Sequence, residues 1–151
     1  MRSTGGCKSR YGLAEKVKDG RVKELKIITD ITGAEIPKTA GEAAAKILAS
    51  LPAERGARRT DVGRASRMAF TYAQRFPESE ALQRAVYRLL PLKGDVDPHA
   101  IKFPVAMFQH YRWVSPEWRP HLLAAAAASF KGPDDDDNPV TNQVREALKT
   151  L

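Results

Sequence analysis

A single cysteine, Cys7, stands among 151 residues. That excludes an intrachain disulfide and any zinc site built from several cysteines. Long apolar runs are also missing. The longest, Leu122 to Ala128, falls far short of the roughly 20 residues that cross a bilayer. The N-terminal MRSTGGCKSR is basic with no apolar core behind it, so no secretory leader is expected and the cytoplasm is the default compartment. Catalytic motifs are equally scarce. Gly5-Gly6-Cys7-Lys8-Ser9 lacks the upstream strand and the G-x-x-x-x-G-K-S/T spacing of a phosphate loop. Cys7 has no histidine near it in sequence and no strand-to-helix elbow around it, which leaves it a poor nucleophile. His99, His110 and His121 recur every eleven residues, but Pro104, Pro116 and Pro120 break the helix that would align them, and no HExxH or paired-carboxylate motif accompanies them. Neither an enzymatic activity, a cofactor nor a metal is expected.

What the chain does have is charge. Lys and Arg number 25 against 18 Asp and Glu, a formal net charge of +7. With 42% hydrophobic and 28% charged residues the chain can fold unaided, and its length suits one domain. The excess positive charge is uneven. Residues 1–30 carry +4 and residues 53–93 carry +5, while the last twenty, with Asp134 to Asp137 in a row, carry −3. Eight of the nine basic residues in 53–93 are arginines. A guanidinium forks onto phosphate through two donors, where lysine acts as a point charge.

Local signals predict helices. Thr39-Ala-Gly-Glu42 matches a capping box and opens a helix over 40–51, stopped at Pro52. Asp61 caps a helix over 62–76, with Val62, Ala65, Ala69, Tyr72, Ala73 and Phe76 inward at the 3.6-residue period and Pro77 as its stop. Ser79 caps a third, 80–90, with Leu82, Val86, Leu89 and Leu90 inward and Pro91 and Gly94 closing it. Asp97-Pro98 starts a fourth, which Pro104 should kink or split near Phe103. Pro120 begins a fifth that runs to Phe130, with Gly132 as the stop, and Asn138-Pro139 caps the last, with Val140, Val144 and Leu148 at i, i+4 and i+8. The expected fold is all-α: a compact bundle of five to seven short helices over 39–151, preceded by a basic N-terminal arm over 1–38. Val22 to Thr29, rich in β-branched residues, is the one candidate strand.

The candidate binding residues are mostly arginines. Arg64, Arg67 and Arg75 fall at i, i+3 and i+11 of the second helix, within about 80° of one another and away from most of the inward positions. Arg55, Arg58 and Arg59 precede that helix, and Arg84 and Arg88 share one face of the next. If the two faces merge, they form a strip that takes a sugar-phosphate backbone with little base preference. The bland alternative is a solvated face salt-bridged to Glu54, Asp61, Glu78 and Glu80. The arm adds Lys8 and Arg10 among its glycines, as a tether for nucleic acid or simply a solubilising tail. Trp113 and Trp118, beside Arg112 and Arg119, can stack on single-stranded bases. Core anchoring is the commoner fate for tryptophans that follow Phe103, Phe108 and Tyr111. The four aspartates read as a solvated loop before a helix N-terminus, where negative charge is favoured, or as a contact for a basic surface.

From Leu82 to Phe130 the order of features resembles the small helical subunit of class 1 (Cascade-like) CRISPR ribonucleoprotein complexes. An arginine-bearing helix (Arg84, Arg88) leads through a loop to a helix ending near one tryptophan, Trp113, and a second, Trp118, opens the next helix. The glycine-rich basic arm and Pro120 depart from that layout. The resemblance implies a non-enzymatic subunit, several copies of which line up along backbone subunits holding a guide RNA. It also implies that a basic surface steadies the RNA–DNA duplex or the displaced strand. Two other readings of the residues stand beside it. One is a helix-turn-helix regulator reading DNA with Gln83, Arg84, Tyr87 and Arg88; the other is a protein-only adaptor using the acidic loop and apolar grooves.

Overall fold

The computed structural model describes residues 31–51, 63–93 and 98–150, together with the backbone pairing of two short strands in the arm. Those strands, β1 (Val17–Lys18) and β2 (Arg21–Val22), form an antiparallel pair with Val17 opposite Val22 and Lys18 opposite Arg21. The expected strand over 22–29 overlaps this pair only at Val22, and the rest of it lies outside the described residues. The sequence signal for the observed pairing is Asp19-Gly20 between the two strands, a favoured two-residue hairpin loop.

Among the described residues six helices follow: α1 (Ala40–Ala49), α2 (Gly63–Arg75), α3 (Ala81–Lys93), α4 (Pro98–Tyr111), α5 (Arg119–Ala126) and α6 (Pro139–Leu148). The fold is an all-α compact bundle. The capping box of α1 forms as read. The Thr39 hydroxyl accepts from the Glu42 N–H at 3.3 Å and donates to the Glu42 carboxylate at 2.7 Å. α1 packs against both α2 and α3, α2 lies along α5, and α4 bridges α5 and α3. The core between them is filled by Ile47, Met68, Tyr72, Leu82, Val86, Pro104 and Phe130. Phe130 stacks on Phe108 at 5.6 Å, and Tyr87 meets Phe108 edge-on. Ile36 is also buried in this core, so the packed body takes in residues before 39, where the arm was expected to continue.

Prolines behave differently from the expectation in two places. Pro104 does not split α4: the helix runs on to Tyr111, with the proline ring fully buried. Pro104 forfeits one backbone hydrogen bond, and its ring fills the core on the stripe shared with Met107 and Phe108. α3 runs past Pro91 to Lys93. Its last carbonyls, which have no partner inside the helix, are met from outside. The Asn138 side-chain amide donates to the Pro91 carbonyl, and the Asn138 N–H donates to the Leu92 carbonyl at 2.8 Å. α5 ends at Ala126 and passes through a 3-10 turn, Ala127–Ser129. Gly132 is buried beyond it, where a Cβ would lie 3.0 Å from the Leu48 carbonyl oxygen and 3.3 Å from Leu51 Cβ. The glycine is there for close approach to the end of α1 as much as to stop a helix.

Candidate nucleic-acid interface

α2 buries Ala65, Met68, Ala69, Tyr72 and Ala73 and leaves Arg64, Arg67 and Arg75 exposed, Arg67 facing away from the buried stripe and Arg64 and Arg75 beside its edge. The helical period accounts for this separation. Arg67, Thr71 and Arg75, four residues apart, make one ridge. An extended segment crosses that ridge at its middle. The Ala34 N–H donates to the Thr71 hydroxyl at 3.0 Å, and Gly33 lies so close that a Cβ there would collide with the Thr71 oxygen. Arg75 is therefore set apart from Arg64 and Arg67 along the helix, and its guanidinium sits 5.7 Å over the Phe76 ring.

On α3, Leu82, Val86 and Leu90 point inward and Arg84 and Arg88 stay exposed. α2 and α3 do not lie along each other; α1 packs against both, and the two helices meet at the 76–80 junction. Tyr72 closes that junction. Its hydroxyl accepts the Leu82 N–H at 3.1 Å and donates to Ser79 Oγ at 3.2 Å, while Ser79 Oγ accepts the Ala81 N–H. The expected serine cap on α3 is thus shared with a tyrosine from the preceding helix.

The arginines of the later elements are paired. Arg112 pairs with Glu80 at 2.8 Å. Arg119 pairs with Glu78 at 3.0 Å, donates to the Val114 and Arg112 carbonyls, and lies 5.5 Å over the Tyr111 ring. Arg145 pairs with Asp137. Of the four carboxylates expected to neutralise the α2 and α3 arginines, Glu78 and Glu80 are engaged elsewhere, and Glu54 and Asp61 lie outside the described residues. Among the described residues, Arg64, Arg67, Arg84 and Arg88 have no carboxylate partner. Lys8, Arg10, Arg55, Arg58 and Arg59 lie outside the described residues.

The paired charges of Glu78, Glu80, Arg112 and Arg119 line a cleft of about 340 Å³, with Tyr72 and Tyr111 on its wall. Burial pushes the Tyr111 phenol above its ordinary value, with Arg119 opposing, and its hydroxyl donates to the Pro77 carbonyl at 3.3 Å.

The tryptophans depart from the core-anchoring expectation. Trp113 is 86% exposed and Trp118 48%. The inward stripe of α4, Pro104, Met107, Phe108 and Tyr111, is complete before residue 113, which falls in the turn beyond the helix. That offset was readable from the sequence and is the signal for an exposed ring. The histidines do not converge. His110 is exposed, His121 lies between the rings of Phe70 and Trp118, and no metal-binding group of three forms among the described residues.

The aspartate run is more than a solvated loop. Asp135 is buried, and its carboxylate accepts the Gly132 N–H at 2.7 Å while its carbonyl takes the Lys93 ammonium at 2.6 Å. Asp137 bonds Lys93 at 2.9 Å and also Arg145. Asp134 and Asp136 remain exposed.

Among the described residues no helix is long and apolar enough to cross a membrane. Compared with family models, with curated proteins and with solved structures, the chain has no match in any of the three.

Proposed function

We propose that this chain is a non-catalytic helical subunit that binds the sugar-phosphate backbone of RNA or DNA. Its setting would be a multi-subunit ribonucleoprotein of the kind that the Leu82–Phe130 layout resembles, with backbone subunits and adjacent copies of itself as neighbours. The observation that carries this reading is the split among the arginines: those on the later elements are tied to carboxylates, while Arg64, Arg67, Arg84 and Arg88 stand exposed and unneutralised among the described residues. Exposed guanidiniums at fixed helical positions suit phosphates, which carry charge without sequence information.

The test is joint replacement of Arg64, Arg67, Arg84 and Arg88 with Glu. All four side chains are exposed, so the circular-dichroism melt should stay close to that of the parent. Binding to unrelated RNA and DNA oligomers should disappear at a salt concentration where the parent binds. The parent's log–log salt slope should be steep, with about 0.7–0.9 for each phosphate contact. Unchanged affinity in the variant sinks the reading. Preference for one duplex by about a thousandfold would instead support a sequence-reading regulator.

A further inference from the structure

A row of rings runs from α5 to α2. The His121 imidazole meets Phe70 edge-on at 5.1 Å between centroids and Trp118 at 5.2 Å. Trp118 is held in place by its backbone. Its N–H closes a turn onto the Ser115 carbonyl at 2.9 Å, and its carbonyl accepts the Leu122 N–H at 3.0 Å. The Ser115 hydroxyl braces the same turn by donating to the Glu117 carboxylate at 2.9 Å. The indole rests on His121 on one side, yet about half of its surface meets water. At the other end of the row, Phe70 follows Arg67 by three residues and is its neighbour on the α2 surface. Arg67 is one of the exposed arginines with no carboxylate partner among the described residues.

An anchored, half-exposed indole gains by covering its free surface with a flat partner, and it loses little entropy in doing so because its backbone is already fixed. A guanidinium beside the row with no carboxylate partner among the described residues favours an anionic partner over an apolar protein groove. One polymer offers flat rings and anionic groups in alternation with its rings accessible: a single strand of nucleic acid. A duplex stacks its bases on one another and presents phosphates.

We propose that the Trp118–His121–Phe70 row beside Arg67 is a stacking platform for single-stranded nucleic acid, with a base on the Trp118 indole and a neighbouring phosphate on Arg67. This rests on the phosphate-binding reading above and adds strandedness to it.

Trp113 and Trp118 are the two tryptophans of the chain, so W113F makes Trp118 emission the sole indole signal. Titrated with oligo-dT, with oligo-U and with a DNA duplex of equal length, that emission should be quenched by both single strands and not by the duplex. W118A and W118L should each lose about tenfold in single-strand affinity, read by anisotropy of a labelled oligomer, with duplex affinity moved by less than about twofold; tenfold is the scale of one stacked base. W118F, which keeps a ring, should retain most of the affinity. If W118A does not fold, W118L and the quenching measurement decide. Emission that no single strand quenches, emission that a duplex quenches equally, or single-strand affinity untouched by loss of the indole overturns the platform and leaves the arginine reading standing. Failure of the parent to bind either single strand or duplex overturns both.

Discussion

Tyr72 joins the core to the start of α3 through one oxygen. The ring is buried beside Phe76, and the hydroxyl accepts the N–H of Leu82, itself a buried residue. The first N–H groups of a helix have no partner within it, and here one of them is buried. Removing only the oxygen should therefore leave a buried donor unsatisfied, at a cost of about 1–3 kcal/mol. Tyr72→Phe is expected to lower the urea midpoint by that cost divided by the denaturant slope, with the slope itself unchanged, and a midpoint equal to the parent's would show that the hydroxyl is dispensable. Nothing local in the sequence predicts this bond. Ser79 is legible as a cap because a serine before an apolar period is a local pattern, whereas the Tyr72–Leu82 contact depends on how two helices meet. Trp113 is the contrasting case: aromatic density near residues 103–111 points to a core, but the inward stripe closes at Tyr111 and the ring beyond the helix end stays outside, an offset the local period already carries.

Elements were more legible than the contacts between them. Among the described residues all six helices begin close to where capping residues and first-turn prolines put them, because those signals act within a few residues of where they stand, whereas Pro91 does not end α3 and Pro104 does not split α4. What local signals missed is what holds α6. Its first turn is tied to the end of α3 by Asn138 on the Pro91 and Leu92 carbonyls and by Asp137 between Lys93 and Arg145. The hydrogen bond from Lys93 holds the Asp137 carboxyl below its usual range, with Arg145 acting in the same direction and desolvation opposing. The folded-state value is thus lower than the unfolded one. The Asp137 contribution is fully present above the ordinary aspartate range and is lost as pH falls through the lowered value. D137N keeps the shape and removes the charge. The parent should be more stable than D137N at neutral pH, and the difference should shrink once the pH drops below about 4. A stability difference that stays constant down to strong acid would mean that the carboxylate charge plays no part in holding α6.

For the molecule as a whole, α6 stands outside the cooperative body. None of its residues is buried, and Val140, Val144 and Leu148 are 63%, 53% and 62% exposed along one face. Its helicity rests on the Asn138 side chain, which accepts the Thr141 N–H at 2.7 Å, on Pro139 at the start and on the Asp137–Arg145 pair. Ten residues are too few to make a stable helix in water without such support. The body has its core complete by Phe130 and its α3 end closed by Asp135, Asp137 and Asn138. A chain ending after Asn138 should therefore fold, with a melting temperature within about 3 °C of the parent, since no buried apolar surface is removed. The truncation deletes Arg145, Glu146 and Lys149 and leaves Arg64, Arg67, Arg84 and Arg88 in place. Oligonucleotide affinity and its salt slope should accordingly follow the parent's. A melting temperature lower by ten degrees or more would place α6 within the folding unit, and a loss of oligonucleotide affinity with the melt unchanged would move the binding surface away from α2 and α3 toward the C-terminal helix.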